Sequence, residues 1–429
     1  MRINGKKINV ESLFIISIIF CLALENFKLF DVLGASIKPI HLIAILAFLY
    51  CAAFRAITVK KIVLTVLFWA IPLCPLYRIN DKLEFFKTYI IYVIMVVFIV
   101  FVLPHLKKTF CENPEMYLKL FNIVIFVLAI LGIAQFITMN FMGFDFLKGI
   151  FGPFLAVAQA TDSQGSGFQR AISLFSEPSY FGWVLDIALA VNLVLLKKRK
   201  SIKRILLIAT IIVAIFATMS SSAFWITAVI LLVHFISIKK INVNMIFIAL
   251  AGVVVVGFVV AIFDFSFLTK SMSRLFTEMG VEGTSGNGRL VYPVEYVGAV
   301  LKEFPFFGRG MGQEGDADII SRIVGRKSNV HNSIFGVVGT FGLTAVFYIV
   351  WIIKQFFGPR FDKSTRSDRI LIFLSIMFMY VTTGAFMAFD TLVFTIVAIL
   401  ILSSMETKQI ENAERIEKQS ENISNSSNL

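Results

Sequence analysis

The sequence LFNIVIFVLAILGIAQFITM at residues 120–139 decides the class of fold. It contains no charged side chain, and its length matches the roughly 20 apolar residues that an α-helix needs to cross a bilayer. Similar stretches recur along the chain, so the sequence predicts an all-α, polytopic integral membrane protein with about 12 transmembrane helices. The predicted spans lie near residues 10–26, 39–54, 62–77, 88–104, 120–139, 179–196, 205–219, 222–238, 244–263, 333–353, 370–387 and 390–404.

The composition of the rest of the chain excludes a soluble globular protein. Of its 429 residues, 58% are hydrophobic and only 16% are charged, whereas soluble domains have about 25% charged residues. The net charge of +13 does not indicate a nucleic-acid partner, because lysine and arginine fall between the apolar stretches instead of forming one basic surface.

The basic residues predict how the chain crosses the membrane. Most of the 40 lysines and arginines lie in alternate connections, and cytoplasmic loops are the ones that retain such residues. We therefore expect both termini in the cytoplasm. No pair of cysteines falls on the exported side, so no disulfide is expected, and the sequence shows no metal-ligand spacing and predicts no cofactor.

Two connections on the exported side are long enough to carry function. The predicted organisation is helices 1–5 over residues 1–139, an exported loop with a polar motif over 140–178, helices 6–9 over 179–264, a large exported helical loop over 265–332, helices 10–12 over 333–404 and a disordered cytoplasmic tail over 405–429. Within the second loop, helical patterns cover 266–279, 289–303 and 316–325.

The first exported loop ends in the polar motif RAISLFSEPSYFG at residues 170–182. Ser176, Glu177 and Pro178 are residues that suit the start of a helix, so a purely structural role explains much of the motif. The alternative is a functional one: Arg170, Glu177 and a helix N-terminus would meet at the membrane boundary, where an anionic lipid headgroup would also lie.

The second exported loop carries three further motifs: GNGRLVYPVE at 286–295, FPFFGRGMG at 304–312 and SNVHNSIFG at 328–336. His331 is either an interfacial side chain or a group that transfers protons near neutral pH. Asn332 follows it directly.

Together these motifs resemble the O-antigen polymerase and O-antigen ligase superfamily. The similarity covers about residues 165–350 and consists of an arginine followed by a Pro-Ser pair at a span start, a Gly-Arg pair opening a helix, a Pro-x-x-Gly-x-Gly segment, and His-Asn before a glycine-rich span. The resemblance implies a metal-independent membrane glycosyltransferase that uses undecaprenyl-pyrophosphate-linked oligosaccharides at the periplasmic face. It also implies membrane lipid and a chain-length regulator protein as partners.

Carried over by motif, the resemblance assigns roles to individual residues. Glu177 and His331 would be catalytic, assisting the acceptor hydroxyl. The pyrophosphate and sugar would contact a second set of residues, namely Arg170, Arg289, Tyr292, Arg309 and Asn332. The acid in Ser-Glu-Pro-Ser departs from the ligase pattern and favours a polymerase of O-antigen or a related surface polysaccharide. A ligase, and a transporter or flippase of lipid-linked oligosaccharide, remain the alternatives.

Three other features have weaker explanations. The sequence GMGQEG at 310–315 matches a dinucleotide fingerprint but follows no predicted strand, so we interpret it as a turn. Asp316 and Asp318 fit a helix start better than a metal pair. Asp186, inside a predicted span, is either a functional carboxylate or the partner of a hydrogen bond from a neighbouring helix.

Overall fold

The computed structural model describes residues 2–3, 6–7, 9–32, 35–155, 168–198, 200–237, 285–313, 332–357, 366–382 and 391–404. His331, the predicted span 244–263, the predicted helices 266–279 and 316–325, Asp316, Asp318 and the tail 405–429 lie outside the described residues.

Helices account for nearly all of the described secondary structure. They are α1 Val10–Cys21, α2 Pro39–Phe54, α3 Val59–Ala70, α4 Lys82–Val97, α5 Leu103–Glu112, α6 Pro114–Ile137, α7 Phe146–Phe151, α8 Pro178–Lys198, α9 Ile202–Thr218, α10 Ser221–Ser237, α11 Ser285–Leu290, α12 Tyr292–Glu303, α13 Ser333–Phe341, α14 Ala345–Phe356, α15 Arg366–Thr382 and α16 Thr391–Ser404. The strands form two short antiparallel hairpins, β1 Arg2–Ile3 with β2 Lys6–Lys7 and β3 Phe30–Val32 with β4 Ala35–Ile37.

The membrane prediction is confirmed. Five helical stretches in the described parts of the chain are long and apolar enough to cross a bilayer, and they cover Val59–Arg78, Lys82–Glu112, Pro114–Met142, Pro178–Lys198 and Ser333–Phe356. Shorter apolar helices are α1, α2, α10 and α16. The total of twelve spans stays a prediction.

Helix α8 lies at the centre of the bundle. Within its span, 83% of the residues of the most apolar window are buried, against 17% for the span that begins with α3. Small residues allow close approach: the Phe181 ring fills the space where a side chain on Gly132 would sit, and Gly182 packs against Ala223 of α10. Lipid provides no hydrophobic drive between helices, so such small-residue contacts are how membrane helices associate.

A polar cluster joins three helices at one end of the bundle. Glu11, at the start of α1, is buried and accepts a hydrogen bond of 2.9 Å from the Arg55 Nε atom that follows α2. It also accepts one from the Thr109 hydroxyl of α5. Burial of a carboxylate is costly unless it is paired, and this cluster satisfies it.

The span Ser333–Phe356 is broken into α13 and α14 at Gly342. Gly342 has a φ of +59° and Gly308 one of +62°, and the two backbones cross there. A Cβ atom on Gly342 would lie 2.5 Å from the Pro305 carbonyl oxygen, so neither position has room for a side chain. The segment 304–312 therefore packs into this break, and the GMGQEG sequence begins in a turn and not after a strand.

Candidate functional site

The polar motif before α8 is held in place by one buried glutamine. The Gln135 Oε1 atom accepts hydrogen bonds from the backbone N–H groups of Ile172 and Ser173, at 2.9 and 2.8 Å. Its Nε2 atom donates to both oxygens of Asp145, at 3.1 Å. Ile172 is fully buried, so the end of the predicted exported loop is part of the helical core.

Ser173 adopts a backbone conformation that side-chain-bearing residues rarely use. Its φ is +51°, and its hydroxyl donates to the Leu128 carbonyl of α6 at 3.1 Å. A left-handed residue other than glycine costs of order 1–2 kcal/mol and persists only where its surroundings fix it. The bonds to Gln135 and Leu128 provide that fixing.

Arg170 lies against the end of α9. Its Nε atom donates to the Thr218 carbonyl at 3.3 Å, and the next residue, Ala171, donates from its backbone to Ala217 at 3.0 Å. The carbonyl end of a helix carries partial negative charge, which favours a guanidinium there. The half-buried Arg170 is thus oriented by α9.

Glu177 immediately precedes α8 and is exposed. Its Oε2 atom accepts a hydrogen bond of 3.0 Å from the Ser179 hydroxyl, and its carbonyl accepts one from the Phe181 N–H at 3.3 Å. The backbone bond belongs to the first turn of α8, so the helix-start explanation of this motif agrees with the structure. The exposed carboxylate is nevertheless accessible to a proton donor.

Asn332 joins the second and third motifs. Its Oδ1 atom accepts from the N–H groups of Ile334 and Phe335, which caps α13. Its Nδ2 atom donates to the carbonyls of Arg289, at 3.1 Å, and Val381, at 2.8 Å. These four bonds use the whole amide, so Asn332 positions the backbone of Arg289 against the ends of α13 and α15.

Tyr292 follows Arg289 by three residues and is almost fully buried. It belongs to a small apolar cluster with Tyr296, Val297 and Val300 of α12, against which Phe335 packs. The cluster packs α12, which directly follows the Arg289 segment in the chain, against α13.

The Arg170–Glu177 segment and the Arg289–Asn332 pair lie at the same end of the bundle. Helices α8 and α15 pack together, and Lys197 and Lys198 at the end of α8 pair with Asp368 at the start of α15, at 3.2 and 3.8 Å. The two helices are therefore antiparallel, and the start of α8 lies at the same end as the close of α15, where Val381 binds Asn332.

Arg309 occupies a different place. Its backbone N–H group donates to the Gly339 carbonyl near the far end of α13 from Asn332, a separation of about 10 Å along the helix at its usual rise. The Arg309 guanidinium lies 5.6 Å from the centroid of the Phe304 ring. Arg309 therefore lies apart from Asn332 and the two residues that the Asn332 amide binds, Arg289 and Val381.

Arg78 was missed by the sequence analysis. Its guanidinium lies 4.6 Å from the same Phe304 ring, so two arginines from distant parts of the chain share one aromatic side chain. Arg78 stands between α3 and α4 in a short connection without a recognisable motif. Its only sequence signal is that it is a basic residue on the predicted exported side, where basic residues are scarce.

Asp186 of α8 has no exposed surface. Its Oδ1 atom accepts a hydrogen bond of 2.6 Å from the Thr227 hydroxyl of α10. The neighbouring-helix explanation of this carboxylate therefore agrees with the structure. Its Oδ2 atom has no hydrogen-bond partner among the described residues.

These features define a polytopic helical membrane protein with two arginines and a glutamate, Arg170, Arg289 and Glu177, at one end of its bundle. Residues 12–404 match the WcaD colanic acid polymerase family, and the chain belongs to this family. No curated protein and no solved structure matches the chain.

Membership confirms the resemblance to O-antigen polymerases. The protein is a membrane enzyme of the glycosyltransferase type that polymerises the repeat units of a surface polysaccharide, and its substrates are lipid-linked glycans.

Proposed function

We propose that the enzyme transfers the growing glycan from undecaprenyl pyrophosphate to the terminal sugar of the next lipid-linked repeat, at the periplasmic face of a bacterial inner membrane. The observation that carries the proposal is that two separate motifs, one with Arg170 and Glu177 and the other with Arg289, lie at one end of the bundle. The opposite end carries Lys197 and Lys198. Lysines close to the end of a membrane helix favour the cytoplasmic side.

The chemistry of the transfer suits these side chains. Cleavage of the bond to the pyrophosphate develops negative charge on the leaving group, and fixed guanidinium groups stabilise such charge in a low-dielectric site. Arg170 and Arg289 would make these contacts, and Asn332 would position Arg289 through its hydrogen bond to the Arg289 carbonyl. Because arginines would neutralise the leaving group, the proposed reaction requires no metal ion.

The attacking sugar hydroxyl has to lose its proton. Glu177 is exposed, and among the described residues its side chain accepts one hydrogen bond, from Ser179, so it is able to accept that proton. His331, which directly precedes Asn332 in the motif at 328–336, is the second proposed acceptor. We propose that segments 140–178 and 265–332 are exported, that both termini are cytoplasmic, and that a chain-length regulator is a partner.

Purified protein in detergent tests the proposal directly. Undecaprenyl-pyrophosphate-linked repeat units should be converted to longer lipid-linked glycans without a sealed vesicle, and Arg289→Ala should abolish the products. Lys148→Ala is the matched control, because Lys148 is an exposed cation of the first exported segment. No extension by the wild-type protein, together with uptake of the same glycan into vesicles, would instead support a transporter.

A gene deletion separates a polymerase from a ligase. Loss of a polymerase leaves surface glycan that is one repeat long, whereas loss of a ligase leaves none on the acceptor. Detection of cysteines introduced near residue 177 by an impermeant reagent added outside spheroplasts tests the periplasmic placement.

A further inference from the structure

A cavity of about 330 Å³ lies between α3, the α4–α5 stretch and α14, away from the proposed catalytic end. This volume is at the lower end of the range of about 300–1,000 Å³ for ligand pockets. The apolar wall consists of Leu64, Phe68, Met95, Val96, Ile99, Val100, Leu103, Pro104, Tyr348 and Trp351. The polar lining consists of Lys60, Lys61, Lys107 and Gln355, and no carboxylate from the described part of the chain lines the cavity.

The polar and apolar linings lie at opposite ends. Lys107 of α5 donates a hydrogen bond to Gln355 near the end of α14, and Lys60 and Lys61 begin α3. At the other end, the rings of Phe68 and Tyr348 meet with their centroids 5.2 Å apart. The cavity is thus cationic at its mouth and aromatic at its floor.

Lys60 and Lys61, in the first turn of α3, carry positive charge that no described carboxylate neutralises. Neither Lys60 nor Lys61 forms an ion pair with any described residue, and the Lys61 ammonium lies 5.9 Å from the centroid of the Phe101 ring. With Lys107, three ammonium groups face one opening. An anion is the complementary ligand for such a mouth.

Two hydrogen bonds from α4 hold helix α3 at the floor of the cavity. The hydroxyls of Tyr92 and Tyr89 in α4 donate to the carbonyls of Phe68 and Trp69, at 2.8 and 3.0 Å. The span that contains α3 is also the least buried of the five, so its apolar surface faces the surrounding lipid. Lipid therefore lies directly against the helix that forms one wall of the cavity.

We propose that this cavity binds an anionic phospholipid. The phosphate would lie among Lys60, Lys61 and Lys107, and one acyl chain would follow the apolar wall towards Phe68 and Tyr348. A free phosphate would use only the mouth, whereas a phospholipid matches both the charge and the wall. Binding would fasten the lysine end of α3 to α5 and α14. The proposal does not depend on the polymerase reaction.

Native mass spectrometry of the intact protein in detergent tests this site. Dioleoyl phosphatidylglycerol should bind more tightly than dioleoyl phosphatidylcholine, by about fivefold for each lysine engaged. The triple variant Lys60→Gln, Lys61→Gln, Lys107→Gln should lose the preference. Leu64→Trp, which fills the cavity and keeps all three charges, should weaken binding of both lipids.

The matched control removes three lysines elsewhere. Lys119, Lys200 and Lys203 are exposed and do not line the cavity, so their replacement by glutamine should leave the preference intact. An equal loss in this control, an unchanged preference in the triple variant, or unchanged affinity for both lipids in Leu64→Trp would overturn the proposal. Glycerol phosphate that competes as well as the phospholipid would show a free-phosphate site instead. Because Leu64→Trp keeps the charges, it tests the cavity even if the triple variant does not fold.

Discussion

The side-chain amide of Asn332 donates a hydrogen bond of 3.1 Å to the backbone carbonyl of Arg289, across 43 positions of sequence. The same amide caps α13 and binds the last turn of α15. One side chain thus fixes the proposed pyrophosphate-binding arginine relative to two membrane helices.

Asn332→Ser should separate the two roles of this residue. Serine is able to cap α13 but is too short to reach Arg289 and Val381, which leaves two carbonyls unpaired, at about 1–3 kcal/mol for each one that stays buried. We expect a lower melting temperature and a larger fall in polymerisation rate than stability explains. Asn332→Ala should lose the cap as well, by about 1 kcal/mol more. Equal rates for wild type and Asn332→Ser would contradict the positioning role.

Glu177→Gln should lower the turnover number and leave the Michaelis constant nearly unchanged. Glutamine keeps the size and the bond to Ser179 but is unable to accept a proton, and general-base help contributes about 10²–10⁴-fold. The rate of glycan extension in detergent measures this. Glu295→Gln, an exposed acid of α12, serves as the control and should retain full activity. A Glu177→Gln enzyme of normal rate would reduce this glutamate to a helix-start residue.

Gln135→Leu should destabilise the segment that carries Arg170. The substitution leaves the N–H groups of Ile172 and Ser173 without their acceptor, at about 1–3 kcal/mol for each buried group. Ser173 would also lose support for its left-handed backbone. Chemical unfolding in detergent and hydrogen exchange of residues 170–175 measure the effect. Retained protection of these amides in the variant would show that Gln135 does not hold the segment.

Gly308→Ala should prevent the crossing of the 304–310 segment and the α13–α14 break. Its φ of +62° costs a side-chain-bearing residue about 1–2 kcal/mol, and the new Cβ would lie 2.5 Å from the Gly339 carbonyl oxygen. We expect a large loss of folded protein. Gly298→Ala within α12 is the control, because no neighbouring atom lies within 4 Å of its Cβ position, and it should stabilise the helix by about 0.5–1 kcal/mol. A Gly308→Ala protein as stable as wild type would exclude a steric requirement.

Phe304→Leu should release both Arg78 and Arg309. Each cation–π contact contributes about 0.5–2 kcal/mol, and leucine keeps apolar bulk without a ring. The free energy of unfolding should fall, and Phe304→Tyr, which keeps a π face, should restore most of it. Equal stability of the leucine and tyrosine variants would show that packing, and not the ring, matters at this position.

The membrane class could be predicted from the sequence because hydropathy is a local property. An uncharged stretch such as 120–139 has to cross a bilayer wherever its neighbours lie, and the structure contains it within the span Pro114–Met142. Some helices extend beyond the predicted spans, whereas α1 ends at Cys21, before the predicted end at residue 26. Lys82–Glu112 continues well past the predicted end at 104, because α5 adds charged turns that hydropathy does not recognise.

The candidate site was only partly predictable. The residue types at 170, 177 and 289 were chosen from chemistry and resemblance, and these residues do lie at one end of the bundle. The sequence did not reveal that Asn332 positions Arg289. It also did not reveal that Arg309 lies near the other end of α13, where it shares the Phe304 ring with Arg78. None of these contacts leaves a periodic signal in the sequence.

The sequence by itself determined a helical membrane protein with polar motifs in its exported segments, since the bilayer imposes apolar length and charge asymmetry on each segment separately. Only the tertiary structure decided which motifs meet, that Gln135 holds the Arg170 segment and that three lysines open onto one apolar cavity. The physical reason is that packing and hydrogen bonding between helices depend on side-chain shape across large sequence separations, which hydropathy along one segment does not record.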